Sequence, residues 1–328
     1  MTADNSFLVA AKGLQKSYRQ RGSGFLAAGG RIRAVAGVDL EVGPGEIVGL
    51  VGESGCGKST LGRLLLRLEH PDAGRIFYRE TDLSALDEKA LRPYRRHLQI
   101  IFQDPYSSLN PRMRIGKIIE EPLVIHRLGE AAARRQRVRE LLEIVGLDPG
   151  VANRYPHEFS GGQRQRIGIA RALSLQPEFV VADEPVSALD VSVQAQILNL
   201  LLDLRQQFRL AMLFISHDLS VVKMVSDRVL VMYLGSIIEE APGDELYKRP
   251  LHPYSRLLLQ SIPLPDPRRR RQRPPGGVPD GGESGNAGCA FYPRCPEKRE
   301  ICRRQPPALV RQGGGRRVAC HLYQDETI

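Results

Sequence analysis

The chain has 328 residues, a formal net charge of +10 at pH 7, and 42% hydrophobic and 26% charged residues. This length predicts about two folding units and excludes a small disulfide-stapled scaffold, and the composition excludes a disordered chain. The sequence has neither a run of about 18 apolar residues nor a basic N-terminal segment followed by an apolar one. We therefore expect a cytoplasmic protein that does not itself span a bilayer.

Three apolar stretches rich in β-branched residues predict strands near the N-terminus: LVAAKGL, RAVAGVDLEV and EIVGLVG. The third stretch ends in glycines and precedes a helix predicted from about Lys58 to Leu68. A strand, a glycine-rich turn and a helix in this order are typical of a nucleotide-binding α/β unit.

The glycine-rich turn GESGCGKST matches the phosphate-binding pattern G-x-x-x-x-G-K-[ST] at every fixed position. Its residues are Gly52, Glu53, Ser54, Gly55, Cys56, Gly57, Lys58, Ser59 and Thr60. In such a loop the backbone N–H groups converge on phosphate oxygens, and the following helix adds its positive dipole. We expect Lys58 to bind the β- and γ-phosphates and Ser59 to bind Mg²⁺. A glycine-rich turn without a ligand is the alternative, which the flanking strand and helix disfavour.

Two charged helical patterns, IGKIIEEPLVIHRL and EAAARRQRVRELLEIVGL, predict a helical insertion. After it, FVVAD predicts a buried strand, VSVQAQILNLLLDLRQQF an amphipathic helix, AMLFIS another strand and RVLVMYLGSIIEEA a hairpin centred on Gly235. The buried strand ends in two carboxylates, Asp183 and Glu184. Such pairs also cap helices, but in a chain with a phosphate loop they predict a Mg²⁺ site at Asp183 and a general base at Glu184.

The segment FSGGQRQR (159–166) resembles the LSGGQ-type signature of ATP-binding cassette (ABC) ATPases, with Phe159 in place of the usual Leu. On its own, Ser160 would be an ordinary helix N-cap. Further positions that resemble family motifs are Gln103 for the Q-loop, residues 187–190 (SALD) for the D-loop, His217 for the switch histidine and Tyr18 for the adenine-stacking aromatic. For Tyr18 the alternative is an exposed loop aromatic. The resemblance covers residues 7–241.

This resemblance implies an α/β fold, namely an ABC ATPase nucleotide-binding domain over residues 1–260 with a RecA-like core, an antiparallel β subdomain and a helical subdomain at about 104–175. It implies that the chain binds ATP and Mg²⁺, the metal through Ser59, Gln103 and Asp183. The implied catalytic residues are Glu184, His217, Lys58 and Gln103. It also implies that two cassettes pair head to tail. Ser160, Gly161 and Gly162 of one chain would then contact the γ-phosphate held by the other cassette, and Gln163 and Asp190 are further implied nucleotide-binding residues.

From residue 261 the composition changes to a Pro-, Gly- and Arg-rich linker, 261–288, which is followed by a cysteine-rich extension, 289–328. The extension is too short and too poor in apolar residues to fold by burial alone, so we expect a metal or a cross-link to order it. Its cysteines are Cys289, Cys295, Cys302 and Cys320, in the pattern C-x5-C-x6-C-x17-C. In a reducing compartment clustered thiols indicate metal ligands rather than disulfides, yet these gaps are wider than those of zinc ribbons.

The cysteine pattern resembles the C-terminal motif of peptide-importer ATPases, which implies a [4Fe-4S] cluster held by all four thiolates. Zinc, and free thiols or a disulfide, are the alternatives. We expect the basic residues near these cysteines to offset the negative charge of the cluster. They are Arg294, Lys298, Arg299, Arg303, Arg304, Arg316 and Arg317. The alternative for the basic tail is a nucleic-acid-binding surface.

The segments QDPYSSLNPR (103–112) and HPYS (252–255) resemble those of oligopeptide, dipeptide and nickel importer ATPases. The resemblance implies a peripheral ATPase subunit on the cytoplasmic face of the inner membrane that drives uptake of di- and oligopeptides, with nickel or another small solute as the alternative. It implies a second ATPase subunit in a heterodimer, two transmembrane permease subunits and an external substrate-binding protein. Soluble ABC ATPases that act on nucleic acid carry two cassettes or a coiled-coil insertion. Neither occurs here, so we expect no nucleic-acid partner.

Overall fold

The computed structural model describes residues 7–19, 31–104, 106–261 and 288–324, so residues 262–287 of the predicted linker lie outside the described residues. The strands are β1 (Val9–Arg19), β2 (Arg31–Val42), β3 (Ile47–Val51), β4 (Ala73–Tyr78), β5 (Thr81–Asp82), β6 (Leu98–Ile101), β7 (Phe179–Asp183), β8 (Ala211–Ile215), β9 (Arg228–Tyr233), β10 (Ser236–Pro242), β11 (Val310–Gln312) and β12 (Arg316–Val318). The α-helices are α1 (Lys58–Leu65), α2 (Glu88–Leu91), α3 (Ile115–Ile125), α4 (Ala131–Ile144), α5 (Gly161–Leu173), α6 (Val191–Phe208), α7 (Leu219–Val225), α8 (Gly243–Lys248), α9 (Pro253–Gln260) and α10 (Glu300–Arg304). The strands and long helices predicted from the sequence are confirmed.

Helix α1 ends before the predicted boundary at Leu68. The chain enters the left-handed region at Arg67, where φ is 52°. The N–H of Leu68 then donates to the carbonyl oxygen of Arg63 at 2.9 Å, which closes the end of the helix. No glycine marks this turn, so the sequence pattern placed the end too late.

The described residues form two compact units. The first unit consists of the described residues up to Val9 together with Val42–Ile47 and Tyr78–Ile215. The second consists of the described residues of Ala10–Glu41, of Val48–Phe77 and of the chain from Ser216 onward. In the first unit β6, β7 and β8 are parallel neighbours, with Phe179 opposite both Leu98 and Ala211. All five residues of β7 are buried, as expected for a central strand of a parallel sheet. The end of this strand delivers the two predicted acidic residues.

In the second unit β3 runs parallel to β9, and β9 and β10 form the predicted hairpin. The turn consists of Leu234 (φ 42°) and Gly235 (φ 85°), two left-handed residues that match the twist of a tight hairpin. The strands β2, β1 and β4 are neighbours, in that order, in a sheet separate from that of β3, β9 and β10. The phosphate loop lies directly after β3, at the end of that strand.

The C-terminal extension adds two strands to this unit, because β12 pairs with β10 and β11 pairs with β12. The expectation that the extension needs a metal or a cross-link to become ordered is therefore incomplete: backbone pairing with β10 also orders it. Side chains follow the same register, since Glu240 lies opposite Arg317. The Arg317 Nε donates to the Glu240 carboxylate at 2.5 Å, and Arg316 lies 3.4 Å from Glu239.

Two of the basic residues in the extension pair with carboxylates of β10. Glu239 is 0% and Glu240 is 5% exposed, so each needs a positive partner. Arg316 pairs with Glu239, and Arg317 pairs with Glu240, which Arg228 also contacts. The carboxylates of β10 therefore offset part of the positive charge of the extension. Arg304 likewise pairs with Glu300.

An aromatic cluster joins the extension to the rest of the second unit. The ring of Phe291 lies 5.4 Å from that of Tyr233, 5.5 Å from that of Tyr254 and 5.6 Å from that of His252. Phe291, Tyr233 and Tyr254 are each at most 1% exposed. Edge-to-face and tilted ring pairs of this kind contribute about 0.5–1.5 kcal/mol beyond their burial. The cluster is thus a small core shared by residues distant in sequence.

His252 gives the fold a predicted pH dependence. The side chain is 2% exposed, its Nδ1 accepts the N–H of Tyr254 at 3.0 Å, and burial lowers its pKa from 6.5 to about 3. Below pH 6.5 the unfolded chain binds a proton that the folded chain excludes, so stability falls as the pH drops from 6.5 towards 3. From pH 6.5 to pH 5 the loss is about 2 kcal/mol.

The measurement is the urea midpoint of unfolding at pH 7 and pH 5. The matched control is His252→Asn, which keeps an acceptor at the helix N-cap and removes the titrating ring. We expect the wild type to lose more stability on acidification than the control. Equal losses in the two proteins would show that His252 is not held neutral by the fold.

Candidate nucleotide site

The phosphate loop closes around the side chain of Lys58. This side chain is 4% exposed, and its Nζ donates to the carbonyl oxygens of Gly52 at 2.9 Å and Glu53 at 3.0 Å. Helix α1 begins at Lys58, with Gly57 in the left-handed region at its N-cap. Ser59 and Thr60 occupy the first turn and are half-buried. The loop therefore already has a closed shape in which an ammonium group lies at the centre.

This shape requires glycine at two positions of the loop, because a Cβ atom at either one would collide with the backbone of a neighbouring segment. A Cβ on Gly57 would lie 1.9 Å from the carbonyl oxygen of Ala34, and a Cβ on Gly52 would lie 2.2 Å from that of Met232. Gly55 is also left-handed (φ 80°), but a Cβ there would meet nothing within 4 Å. Gly52 and Gly57 are thus required by close approach, and Gly55 by backbone conformation alone.

Glu53 has partners from well outside the loop. Its backbone N–H donates to the hydroxyl of Tyr254 at 2.9 Å. Its two carboxylate oxygens each accept a hydrogen bond from a terminal nitrogen of Arg294 at 2.8 Å. No sequence pattern pointed to these contacts, since Arg294 is 241 positions away and lies among other basic residues. Of the remaining loop residues, Ser54 is exposed and Cys56 is buried, which raises the pKa of the Cys56 thiol.

The end of β7 brings together two of the predicted catalytic residues. The Gln103 Nε2 donates to the Glu184 carboxylate at 2.9 Å. The backbone of Glu184 is in the left-handed region (φ 47°), and its N–H donates to the carbonyl oxygen of Ile215 at 3.0 Å. Asp183, the last residue of β7, is 5% exposed. A non-glycine residue held in the left-handed region at a strand end is a strained position of the kind found at functional sites.

Ser160 begins α5 with a capping box. The Gln163 N–H donates to the Ser160 Oγ at 3.4 Å, and the Ser160 N–H donates to the Gln163 side-chain oxygen at 3.0 Å. Ser160 and Gln163 are exposed, Gly161 is half-buried, and Gly162 is buried against Val193. The N-cap interpretation of Ser160 is confirmed, and its exposed hydroxyl remains available at the surface of this unit.

The three other predicted site residues lie at the surface of the described structure. His217 is exposed and directly precedes Asp218, which caps α7. Asp190 is exposed at the start of α6. Tyr18 is 39% exposed, and its hydroxyl donates to Glu69. Burial and the neighbouring Glu69 carboxylate raise the pKa of Tyr18, so its hydroxyl stays protonated, and the Lys16 ammonium lies over the ring at 5.7 Å from its centroid.

The four cysteines of the extension lie near one another. Cys302 and Cys320 are buried, and the Cys289 N–H donates to the carbonyl oxygen of Cys302 at 2.7 Å. Burial raises the pKa of Cys320 to about 11, and the other three thiols add to the shift. Burial also raises the pKa of Cys289, while the N–H groups of Phe291 and Tyr292 oppose it. Across residues 7–19, 31–104, 106–261 and 288–324, no three His, Cys, Asp or Glu side chains are placed to hold one metal ion.

The comparisons with known proteins agree with this geometry. Residues 35–187 match the family model described as ABC transporter, and residues 238–302 match the one described as oligopeptide/dipeptide transporter, C-terminal region. The chain is 56% identical to the putative oligopeptide transport ATP-binding protein YkfD of Bacillus subtilis, over 90% of this chain and 91% of that protein. It is 48% identical to the oligopeptide transport ATP-binding protein AppF of the same organism, over 98% and 100%.

Solved structures show the same fold. The dimeric, post-hydrolysis state of the ATP-binding cassette MJ0796 bound to ADP and Pi has a TM-score of 0.64 at 30% identity, covering 71% of this chain and 98% of that one. The protein cbiO1 from Clostridium perfringens, part of the ABC transporter complex cbiONQ, has a TM-score of 0.65 at 24% identity, covering 74% and 92%, which shows the fold alone.

The phosphate loop, the acidic end of β7 and these structural matches define an ABC-type ATPase, so the predicted fold class is confirmed. More particularly, the chain belongs to the ATP-binding proteins of the oligopeptide/dipeptide ABC transporter family. Within the described part of the chain, no helix is long and apolar enough to cross a membrane.

Gly57→Ala tests the requirement for close approach in the phosphate loop. The added methyl group would have to displace the Ala34 carbonyl, so we expect loss of detectable MgATP binding in titration calorimetry. Gly55→Ala is the matched control, because it adds left-handed strain of about 1–2 kcal/mol without a collision. Binding by Gly57→Ala at the affinity of Gly55→Ala would contradict the argument.

Proposed function

We propose that this chain is an ATP-hydrolysing subunit of an importer that drives the uptake of di- and oligopeptides from the cytoplasmic face of the inner membrane. The observation that carries the proposal is the closed phosphate loop around buried Lys58, in a chain that aligns over nearly its full length with oligopeptide transport ATP-binding proteins. The separate match of residues 238–302 to the oligopeptide/dipeptide C-terminal region supports peptides over nickel as the cargo class.

ATP binding exploits the hydrogen bonds that Lys58 makes within the loop. The two carbonyl oxygens at 2.9 and 3.0 Å are neutral acceptors, whereas phosphate oxygens carry full negative charge. The Lys58 ammonium therefore exchanges weak partners for strong ones when the triphosphate enters. Tyr18 offers its partly exposed ring for stacking on the adenine.

Mg²⁺ has suitable donors among the predicted ligands. Ser59, Gln103 and Asp183 supply a hydroxyl, an amide and a carboxylate oxygen, the hard donors that Mg²⁺ prefers. Bound Mg²⁺ neutralises charge on the β- and γ-phosphates. Asp183 is 5% exposed, so its carboxylate is shielded from bulk water.

Glu184 is the proposed general base, and Gln103 restrains its carboxylate. The 2.9 Å hydrogen bond occupies one carboxylate oxygen of Glu184. A base must reach the water whose proton it takes, and the hydrogen bond from Gln103 orients the carboxylate that would do so. His217, exposed after β8, is the proposed partner for the γ-phosphate and the attacking water.

A second ATPase subunit completes the proposed assembly. The exposed hydroxyl of Ser160, the neighbouring glycines and Gln163 would contact the nucleotide held by the partner cassette, with Asp190 at the same interface. The dimeric state of the MJ0796 cassette is consistent with such pairing. We infer a heterodimer that works with two permease subunits and an external substrate-binding protein, because the relatives are peptide transport components.

We also propose that Cys289, Cys295, Cys302 and Cys320 hold a [4Fe-4S] cluster. Single-ion sites need ligands that converge on one point, whereas the four thiolates of such a cluster bind four different irons. Four buried or half-buried thiols that influence one another, with N–H groups directed at Cys289, Cys295 and Cys320, fit that chemistry. When bound, the cluster supplies a redox-capable or purely structural cross-link.

Glu184→Gln tests the proposed base. The amide keeps the size and the hydrogen-bonding partner Gln103 but cannot accept a proton, so we expect MgATP binding to persist and turnover to fall by about 10²-fold or more. Turnover is measured as phosphate release by the assembled transporter, and MgATP affinity is measured separately on the chain alone. Unchanged turnover would remove Glu184 from the mechanism.

Iron and acid-labile sulfide analysis of anaerobically purified protein tests the cluster. We expect about four irons and four sulfides per chain in the wild type. Cys302→Ser removes one ligand and should abolish this content, and Cys56→Ser is the matched control because it changes a buried thiol outside the set. Zinc alone, in place of iron, would refute the cluster.

A further inference from the structure

The cysteine-rich extension contacts the phosphate loop through one side chain. Arg294, next to Cys295 in sequence, donates from both terminal nitrogens to the two oxygens of Glu53 at 2.8 Å. The Arg294 side chain is 7% exposed and that of Glu53 is 23% exposed. This is the two-pronged geometry in which a guanidinium fixes the orientation of a carboxylate as well as its charge.

The surroundings of Arg294 leave it with Glu53 as its main charged partner. The rings of Tyr233 and Phe291 each lie 5.9 Å from the guanidinium, and the Arg294 Nε is buried without a hydrogen-bond partner in the described part of the chain. The hydrogen bonds to Glu53 raise the pKa of Arg294 further above its ordinary value, so it is always charged. The attraction between a buried guanidinium and its main charged partner is strong, because removing either one leaves the other charge buried and uncompensated.

Glu53 is thereby restrained at three atoms. The side chain is held by Arg294, the backbone N–H by the Tyr254 hydroxyl at 2.9 Å, and the carbonyl oxygen by the Lys58 ammonium at 3.0 Å. Tyr254 contacts Phe291 within the aromatic cluster, so two of these restraints depend on the same group of residues. The position of Glu53 in the loop is set largely by residues outside it.

We propose that Arg294 is a positioning residue of the nucleotide site, through which the extension holds the phosphate loop in its binding shape. The inference rests on the proposed function in one respect, that the loop binds ATP. Fixing Glu53 before the nucleotide arrives removes part of the ordering cost of binding. Pairing the carboxylate also keeps a negative side chain away from the triphosphate.

Two simpler roles for the pair make different predictions. If Arg294 and Glu53 acted only through their charges, removing the cation would weaken ATP binding, but removing the carboxylate would strengthen it. If the pair only anchored the extension, both changes would lower thermal stability and leave nucleotide affinity unchanged. Positioning requires that either change weakens binding, because either one releases the loop.

The experiment is a double-mutant cycle on the full chain with Arg294→Gln, Glu53→Gln and the combined variant. The readout is the Kd for the Mg²⁺ complex of a non-hydrolysable ATP analogue in titration calorimetry. We expect about 5- to 20-fold weaker binding in each single variant and no further loss in the double variant, the mark of residues that act as a unit. Tighter binding by Glu53→Gln, additive losses or an unchanged Kd would each overturn the proposal.

Three controls separate positioning from general damage. Arg304→Gln removes a charge from the same extension at an exposed pair with Glu300, and should leave the Kd unchanged. Arg294→Lys keeps the positive charge but loses the paired hydrogen bonds of the guanidinium, so it should bind the analogue nearly as weakly as Arg294→Gln. Wild-type affinity in Arg294→Lys would overturn the proposal that Arg294 positions the loop. If the wild type itself failed to bind the analogue, the proposed function would fail instead.

Discussion

The interaction on which the site depends is the hydrogen bonding of a buried ammonium group to the carbonyl oxygens of its own loop. Burying the Lys58 charge is unfavourable unless dipoles or anions replace water. Lys58 is 4% exposed, and the carbonyl oxygens of Gly52 and Glu53 replace water around its ammonium group. The loop also packs closely against neighbouring backbone, since side chains at Gly52 and Gly57 would collide with the carbonyl oxygens of Met232 and Ala34.

Local patterns predicted most of the fold because the relevant forces act over a few residues. Apolar runs gave β3, β7 and β8 correctly since all three strands are buried throughout. Gly235 marked the β9–β10 hairpin because its turn requires left-handed residues. The end of α1 was misplaced because a left-handed Arg67 carries no compositional signal.

The candidate site was predictable only in part. The phosphate loop and the separate assignments of Gln103 and Glu184 came from motifs with fixed spacing or a family resemblance, whereas the hydrogen bond between these two side chains was found only in the structure. The Arg294–Glu53 pair was not predictable either, because an arginine among many basic residues carries no information about which distant carboxylate it meets. The carboxylate partners of Arg316 and Arg317 were not predictable for the same reason, because the contacts of β12 are set by its register against β10, which no local pattern encodes.

The pairing of β12 with β10 also matters for association between molecules. A strand such as β10, six of whose seven residues pair with β9, would otherwise present unpaired N–H and C=O groups along its other side. Such an open edge is a template for adding a strand from another chain. Here β12 covers part of it, and the outermost strand becomes β11, which has three residues and an exposed Arg311 at its centre. A short, charged outer strand discourages aggregation, so the extension protects the solubility of the cassette.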